Sequence, residues 1–237
     1  MSIELLNMDC MEYMRGLPDK AFDLAIVDPP YGIGEHGGKN RTSAVLQRNG
    51  ARLIARDGGY TKKDWDNVPP PAGYFEELRR VSHAQIIWGA NYYAGLPAGG
   101  CIVWDKVNDG ADQSAAEVAY NSLTKRVDMV RYMWRGMMQG ESIHNGTRQQ
   151  GNKSLNEKRI HPTQKPVKLY EWLLSNYAKP GMRILDTHLG SASSAIAAHY
   201  FGCDLVGTEL DPDYFAAAKA RFERETSQID MFAGGAA

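Results

Sequence analysis

Arg183-Ile184-Leu185-Asp186-Thr187-His188-Leu189-Gly190-Ser191-Ala192-Ser193, continued by an alanine-rich run to Tyr200 and by the apolar segment Asp204 to Thr208 with Glu209 behind it, decides the fold of this chain. Its hydrophobic pattern reads as strand, glycine-bearing loop, helix, strand, the order of a parallel βαβ unit. A loop glycine followed roughly 20 positions later by a strand-end carboxylate is the usual way a protein holds a nucleoside, the carboxylate taking the ribose hydroxyls. A pyrophosphate loop needs Gly-x-Gly-x-x-Gly, and Ala192 and Ala195 stand where its later glycines would fall, so a dinucleotide is disfavoured. Read alone, the segment is slightly better taken as a plain βαβ unit, with Glu209 a solvated strand end and a new helix starting at Asp211-Pro212-Asp213.

Working outward, the apolar run Phe22 to Val27 ends in Asp28-Pro29-Pro30-Tyr31. The two prolines stiffen the turn and remove backbone donors, leaving the Asp28 carboxylate and the Pro29 carbonyl as fixed acceptors. Such a pair suits an exocyclic amine on a nucleobase, whose lone pair is delocalised into the ring until its N–H groups are held and the nitrogen is drawn towards tetrahedral geometry. Tyr31 adds an aromatic face on which an extruded base can stack. The same tetrad is also ordinary strand-ending punctuation.

Together the two motifs resemble those of the amino-group DNA methyltransferases, with Asp/Asn/Ser-Pro-Pro-Tyr/Phe as the catalytic motif and Asp-Pro-Phe-x-Gly-Ser-Gly-Thr as a common cofactor loop. Tetrad first and loop last resembles the permuted β arrangement of that family. The resemblance covers nearly the whole chain and implies S-adenosylmethionine as cofactor, a ligand with a ribose and an adenine but no phosphate. It implies catalytic roles for Asp28, Pro29, Pro30 and Tyr31, and cofactor contacts from Asp28, Asp186, Gly190, Ser191, Ala192, Ser193 and Glu209. His161-Pro162-Thr163-Gln164-Lys165-Pro166 looks like the family segment at the methionine end, giving His161, Thr163, Gln164 and Lys165, and Asp9 looks like the acid that reaches the cofactor adenine. Thr187 and His188 replace Pro-Phe, and Ala192 and Ser193 replace Gly-Thr; the Cβ of Ala192 leads to the expectation of negative φ there, or of slightly weaker cofactor binding. Gly89-Ala90-Asn91-Tyr92-Tyr93 falls where the family walls its active site, although two tyrosines beside Asn91 read more readily as packing.

A length of 237 residues, 43% hydrophobic and 23% charged, suits one soluble α/β domain spanning 1–237. No apolar stretch approaches the roughly 20 residues of a membrane span, and the amino end lacks a signal-peptide pattern, so no membrane partner and a cytoplasmic, prokaryotic or phage-encoded protein are expected. Cys10, Cys101 and Cys203 are scattered and read as reduced, buried thiols rather than a disulfide framework or a zinc site; none follows a proline, as ring-carbon methylation of cytosine would require. No metal is expected.

The net charge of −1 conceals two basic stretches. Lys39, Arg41, Arg48, Arg52, Lys62 and Lys63 crowd 36–66, and Arg148 and Lys153 lie in 136–160, so both segments are expected to be DNA-recognition loops, against the bland reading of solvated faces. Segment 136–158 is long and polar, expected to be mobile before substrate binds. Strands are predicted over 3–7, 23–27, 84–88, 101–105, 117–121, 127–134, 183–185 and 204–208, the three from 101 to 134 antiparallel, and helices over 11–17, 73–81, 167–178 and from the loop to Tyr200.

The fold these pieces imply is a Rossmann-like S-adenosylmethionine-dependent methyltransferase fold of α/β class, a mixed sheet of about seven strands with helices on both faces. The implied activity is methylation of adenine N6 in double-stranded DNA. N4-cytosine methylation, methylation of RNA or a protein glutamine, and a DNA-binding module on a degenerate methyltransferase fold remain open. A homodimer and a cognate restriction nuclease are both compatible with the sequence.

Overall fold

The computed structural model describes residues 1–34, 63–71, 73–108, 114–135 and 138–227, and the backbone of 45–46 and 52–53. In chain order the elements are β1 (Ile3–Leu6), α1 (Cys10–Arg15), β2 (Phe22–Val27), β3 (Val45–Leu46), β4 (Arg52–Leu53), α2 (Gly73–Val81), β5 (Ser82–Trp88), β6 (Gly100–Asp105), β7 (Ala116–Asn121), β8 (Val127–Arg131), β9 (Trp134–Arg135), β10 (Met138–Gln139), α3 (Val167–Tyr177), β11 (Arg183–Asp186), α4 (Ser193–Phe201), β12 (Asp204–Thr208) and α5 (Pro212–Ser227). Eight strands, rather than about seven, form one mixed sheet in the order β1-β12-β11-β2-β5-β7-β6-β8.

The near-continuous apolar character of β2 follows from its central place, with parallel neighbours on both sides and both faces covered. Leu24 and Ile26 point into a core shared with Leu169, Leu173 and Ile196 of α3 and α4, whereas Ala25 and Val27 point into one shared with Met14, Tyr74 and Leu78 of α1 and α2. The alternation of one strand thereby joins two cores.

The predicted antiparallel trio needs one correction. β5–β7 and β7–β6 are antiparallel, but β8 runs parallel to β6 at the sheet edge, and Trp134 leaves that strand to start the small β9–β10 hairpin. Segment 138–150 is tied back by Gly140 N–H to Met133 O at 2.9 Å, Glu141 N–H to Arg148 O at 2.8 Å and Gln150 N–H to Gln139 O at 2.8 Å. Of the cysteines, only Cys203 is fully buried; Cys10 and Cys101 are half-buried, so the expectation of three buried thiols holds for one. Among the described residues, no helix is long and apolar enough to cross a membrane.

The connections place the site. From β2 the chain passes through α2 to β5 on one side of the sheet centre, and from β11 it passes through α4 to β12 on the other. Because β2 and β11 are parallel neighbours, their carboxyl-terminal loops leave the same edge and diverge, opening the crevice in which doubly wound sheets bind ligands. Asp28 follows one strand and Thr187 the other.

Candidate active site

Two adjoining cavities occupy that crevice. The first, about 320 Å³, is walled by the tetrad, Tyr92, Trp104 and Trp134, with Lys106, Glu117 and Lys165 among its polar lining. The second, about 580 Å³, lies over the βαβ loop and is lined by Asp9, His161, His188, Gly190, Ser191 and Glu209, among others. Asp28, Pro30, Trp65, Thr163, Gln164 and Lys165 line both, so the end of β2 and the segment before α3 stand at the junction.

In the larger cavity, Glu209 accepts the Gly190 N–H at 2.9 Å and the Asp211 N–H at 3.0 Å, which fixes its carboxylate at the loop mouth. Burial pushes its pKa up, and the backbone donors counter this. Asp9 caps α1 by accepting the Glu12 N–H at 2.9 Å while lining the cavity. A fixed carboxylate, a second acid and predominantly apolar walls suit a ribose, an adenine and no phosphate.

Asp186, Ala192 and Ser193 stand behind this wall and hold the loop. Asp186 is 1% exposed and accepts the Ser194 hydroxyl at 2.5 Å and the His188 N–H at 3.1 Å; burial raises its pKa to about 7. Ala192 overturns the expectation of negative φ: it lies at φ 61°, ψ 21°, in the left-handed region, as the N-cap of α4. The turn from Gly190, itself at φ 52°, requires that conformation, and the Cβ costs about 1 kcal/mol relative to glycine. Thr187, in place of the usual proline, meets the Tyr74 hydroxyl at 2.6 Å, and His188 packs edge-on against the Tyr74 ring. Burial lowers His188 to about 4 and His161 to about 3, so both are neutral.

Sequence reading missed Arg221 of α5. Fully buried, it donates to the Ser191 carbonyl at 3.0 Å and the Ser193 hydroxyl at 2.9 Å, and pairs with Glu157 at 3.0 Å and Glu225 at 2.9 Å. Glu157 in turn accepts the Val167 N–H at 2.9 Å, capping α3 where Pro166 offers no side-chain hydrogen bond. No local signal marks it, since an arginine among the other charges of an amphipathic helix reads as solvent-facing.

In the smaller cavity Tyr31 donates to Asp28 Oδ1 at 2.7 Å, and its ring stacks on Tyr92 with centroids 4.8 Å apart and planes at 16°. Tyr93 donates to the Pro29 carbonyl at 2.7 Å, one of the two acceptors expected to face an amine, so this tyrosine bonds to the turn itself rather than merely filling space. Asp66, 1% exposed, fixes the same turn by accepting the Tyr31 N–H at 2.7 Å and the Gly32 N–H at 2.9 Å. Gly89, at φ 75°, lets the Tyr31 ring pass where a Cβ would lie 2.3 Å from it. Trp134 donates to the Gln164 carbonyl at 2.8 Å, anchoring the aromatic wall to the segment before α3.

Lys165, expected at the methionine end of a cofactor, has its ammonium on Asp28 Oδ2, and lies 3.0 Å from Glu117 Oε2 and 3.1 Å from the Tyr31 hydroxyl. Lys106 pairs with the other Glu117 oxygen. Burial opposes ionisation of Glu117, but Lys165 and Lys106 outweigh it and hold the carboxyl at about 2. Asp28 is pushed up by burial, against the pull of Lys165. Glu117 and Lys106 carried no motif and were not anticipated.

Of the basic residues assigned to DNA, Lys39, Arg41, Arg48 and Lys62, and the side chain of Arg52, lie outside the described residues. Lys63 points back to the protein: its ammonium bridges Asp211 at 2.5 Å and Asp213 at 2.8 Å at the start of α5. Arg148 is exposed, 3.6 Å from Glu141, and Lys153 is exposed in the 3-10 turn of 153–155.

A fold comparison with solved structures pairs the chain with the cytosine-N4-specific PvuII DNA methyltransferase at a TM-score of 0.54, 14% identity, covering 100% of this chain and 94% of that one. It pairs equally with M1.HpyAVI, solved as its SAM complex, at 0.50 and 17% identity, covering 92% and 99%. Both show the α/β methyltransferase fold. In sequence the chain is 23% identical over 257 residues to the type II methyltransferase M2.DpnII of Streptococcus pneumoniae, covering 93% of this chain and 90% of that protein. The N6/N4 DNA methylase family profile matches residues 101–220, the span that carries Glu117, Lys165, the βαβ loop and Glu209. The chain belongs to the amino-group (N6/N4) DNA methylase family.

Proposed function

We propose that this DNA methyltransferase transfers a methyl group from S-adenosylmethionine to the N6 amine of an adenine flipped out of double-stranded DNA. The observation that carries the reading is the junction at Asp28: one carboxylate lines both a nucleoside-sized cavity ending at Glu209 and an aromatic-walled cavity behind Tyr31. S-adenosylmethionine supplies a sulfonium methyl, whose C–S bond breaks as the N–C bond forms, sulfur keeping the electron pair and the amine then shedding a proton.

Asp28 and the Pro29 carbonyl hold the amine hydrogens, and stiffness of the diproline turn limits reorganisation. The Tyr31 hydroxyl now on Asp28 Oδ1 is displaced by the amine, while its ring stays as the stacking face. Glu209 and Asp9 hold the donor's ribose and adenine, and Gly190 admits close approach. The 36–66 and 136–160 segments of this single domain read the DNA sequence, with Arg148 and Lys153 on phosphates. Adenine is preferred because the tetrad begins with aspartate, commoner among adenine enzymes of the family.

Tritium transfer from labelled S-adenosylmethionine to duplex DNA, RNA and protein, followed by nucleoside analysis of the DNA, tests this. N6-methyladenine is expected; N4-methylcytosine would overturn the adenine assignment, and transfer only to RNA or protein would overturn the substrate class.

A further inference from the structure

The buried charges behind Asp28 have no place in the mechanism so far. Lys106, Glu117, Lys165 and Asp28 alternate in sign along one wall of the smaller cavity, and the Tyr31 hydroxyl also reaches Glu117 Oε2 at 3.4 Å. Asp28 gives Oδ2 to Lys165 and keeps Oδ1 for the Tyr31 hydroxyl; Glu117 gives Oε2 to Lys165 and Oε1 to Lys106. The Lys165 side chain is 4% exposed, and those of Lys106, Asp28 and Glu117 are 12%, 18% and 20% exposed. Burying four charges is costly, and loss of one partner leaves an uncompensated charge.

Resting on the function proposed above, we infer that Lys165 and Glu117 are a positioning pair for methyl transfer: Lys165 fixes one oxygen of Asp28 so that the other faces the amine, and Glu117 cancels the lysine's charge so that Asp28 keeps its own for the amine. Without Glu117, the Lys165 ammonium beside the reacting centre would oppose the positive charge that grows on the methylated nitrogen. Without Lys165, two carboxylates would share the site and Asp28 would hold a proton. Lys106 completes the neutrality.

Asp28 is bonded by Tyr31 from its own turn and lies within electrostatic reach of Tyr93 after β5, Tyr74 of α2, Tyr170 of α3 and Asp186 of β11. The tyrosines stay neutral, since burial raises each of them, and Asp186 holds its proton up to about pH 7, so over the acid range the charges that act on Asp28 are those of Lys165 and Glu117. The two proposed positioning residues act on Asp28 with opposite sign.

The test compares wild type, Glu117→Gln, Lys165→Met and Lys165→Arg in two measurements: the pH profile of kcat for transfer to duplex DNA, and the Asp28 carboxyl carbon-13 titration in the free protein. Glu117→Gln is expected to move the Asp28 titration and the acid limb to lower pH, and Lys165→Met to higher pH, each by about one unit. Lys165→Arg keeps the charge and stays near wild type. kcat at neutral pH falls on the order of 10-fold in the first two, the equivalent of one pKa unit. S-adenosylmethionine affinity of Glu117→Gln, by calorimetry, is unchanged, because Glu117 lines only the smaller cavity. Should folded Glu117→Gln and Lys165→Met shift the titration the same way, or not at all, while the wild type methylates DNA, the positioning role is overturned alone. Absence of transfer by the wild type overturns the proposed reaction, and this role with it.

Discussion

At the scale of single residues, the site depends on groups whose ordinary chemistry is altered by burial. Asp28→Asn replaces one acceptor oxygen by a donor facing the amine; kcat should fall about 100- to 1,000-fold, as on loss of one preorganised oxyanion donor, measured by methyl transfer on the folded variant. Gly89→Ala meets both a positive φ and the Tyr31 ring, so it should lower the thermal midpoint and activity together, checked by calorimetry and methyl transfer. Asp186 binds a proton up to about pH 7 when folded but only to about pH 4 when unfolded. Its contribution to stability is therefore full below the unfolded value and is lost as pH rises towards 7, on the order of 4 kcal/mol. Asp186→Asn should remove that decline, so the stability difference between variant and wild type, from urea denaturation at pH 4.5 and 7.5, should shift in the variant's favour at the higher pH.

At the scale of elements, the loop after β11 is held from α5 rather than from its own sheet. Arg221 joins Ser191 and Ser193 to Glu157, and Glu157 caps α3, so α3, α5 and the loop behave as one unit. Arg221→Met leaves Glu157 buried without its cation, a change that costs about 3–5 kcal/mol when a buried pair is broken. The expected result is a lower urea midpoint and weaker S-adenosylmethionine binding, measured by calorimetry on the fraction that stays folded. A variant with normal cofactor Kd would show that the loop holds its shape without α5.

At the scale of the whole molecule, a net charge near zero makes DNA affinity a matter of where the cations lie. Arg148→Ala and Lys153→Ala should each weaken binding evenly across DNA sequences and reduce the slope of log K against log salt by about 1. Lys63→Ala should not change that slope, because its ammonium is engaged by Asp211 and Asp213. Filter binding over a salt series reads all three.

What the chain determined by itself was local. The apolar run to Val27, the stiff turn after it, the βαβ pattern around Gly190 and the carboxylate at Glu209 are each set by neighbours in sequence, and periodicity and proline geometry made them legible; α2 and β12 fall on their predicted bounds. What only the tertiary structure decided were pairings between residues far apart in the chain. Lys165 reaches Asp28 across 137 positions, and Glu117 and Arg221 bear no local signature because a charge on a strand or helix reads as solvent-facing until a partner is brought to it. The parallel course of β8 and the left-handed Ala192 were likewise beyond local pattern: the first depends on which edge remained free in the sheet, and the second on a turn geometry that outweighs the preference of its side chain.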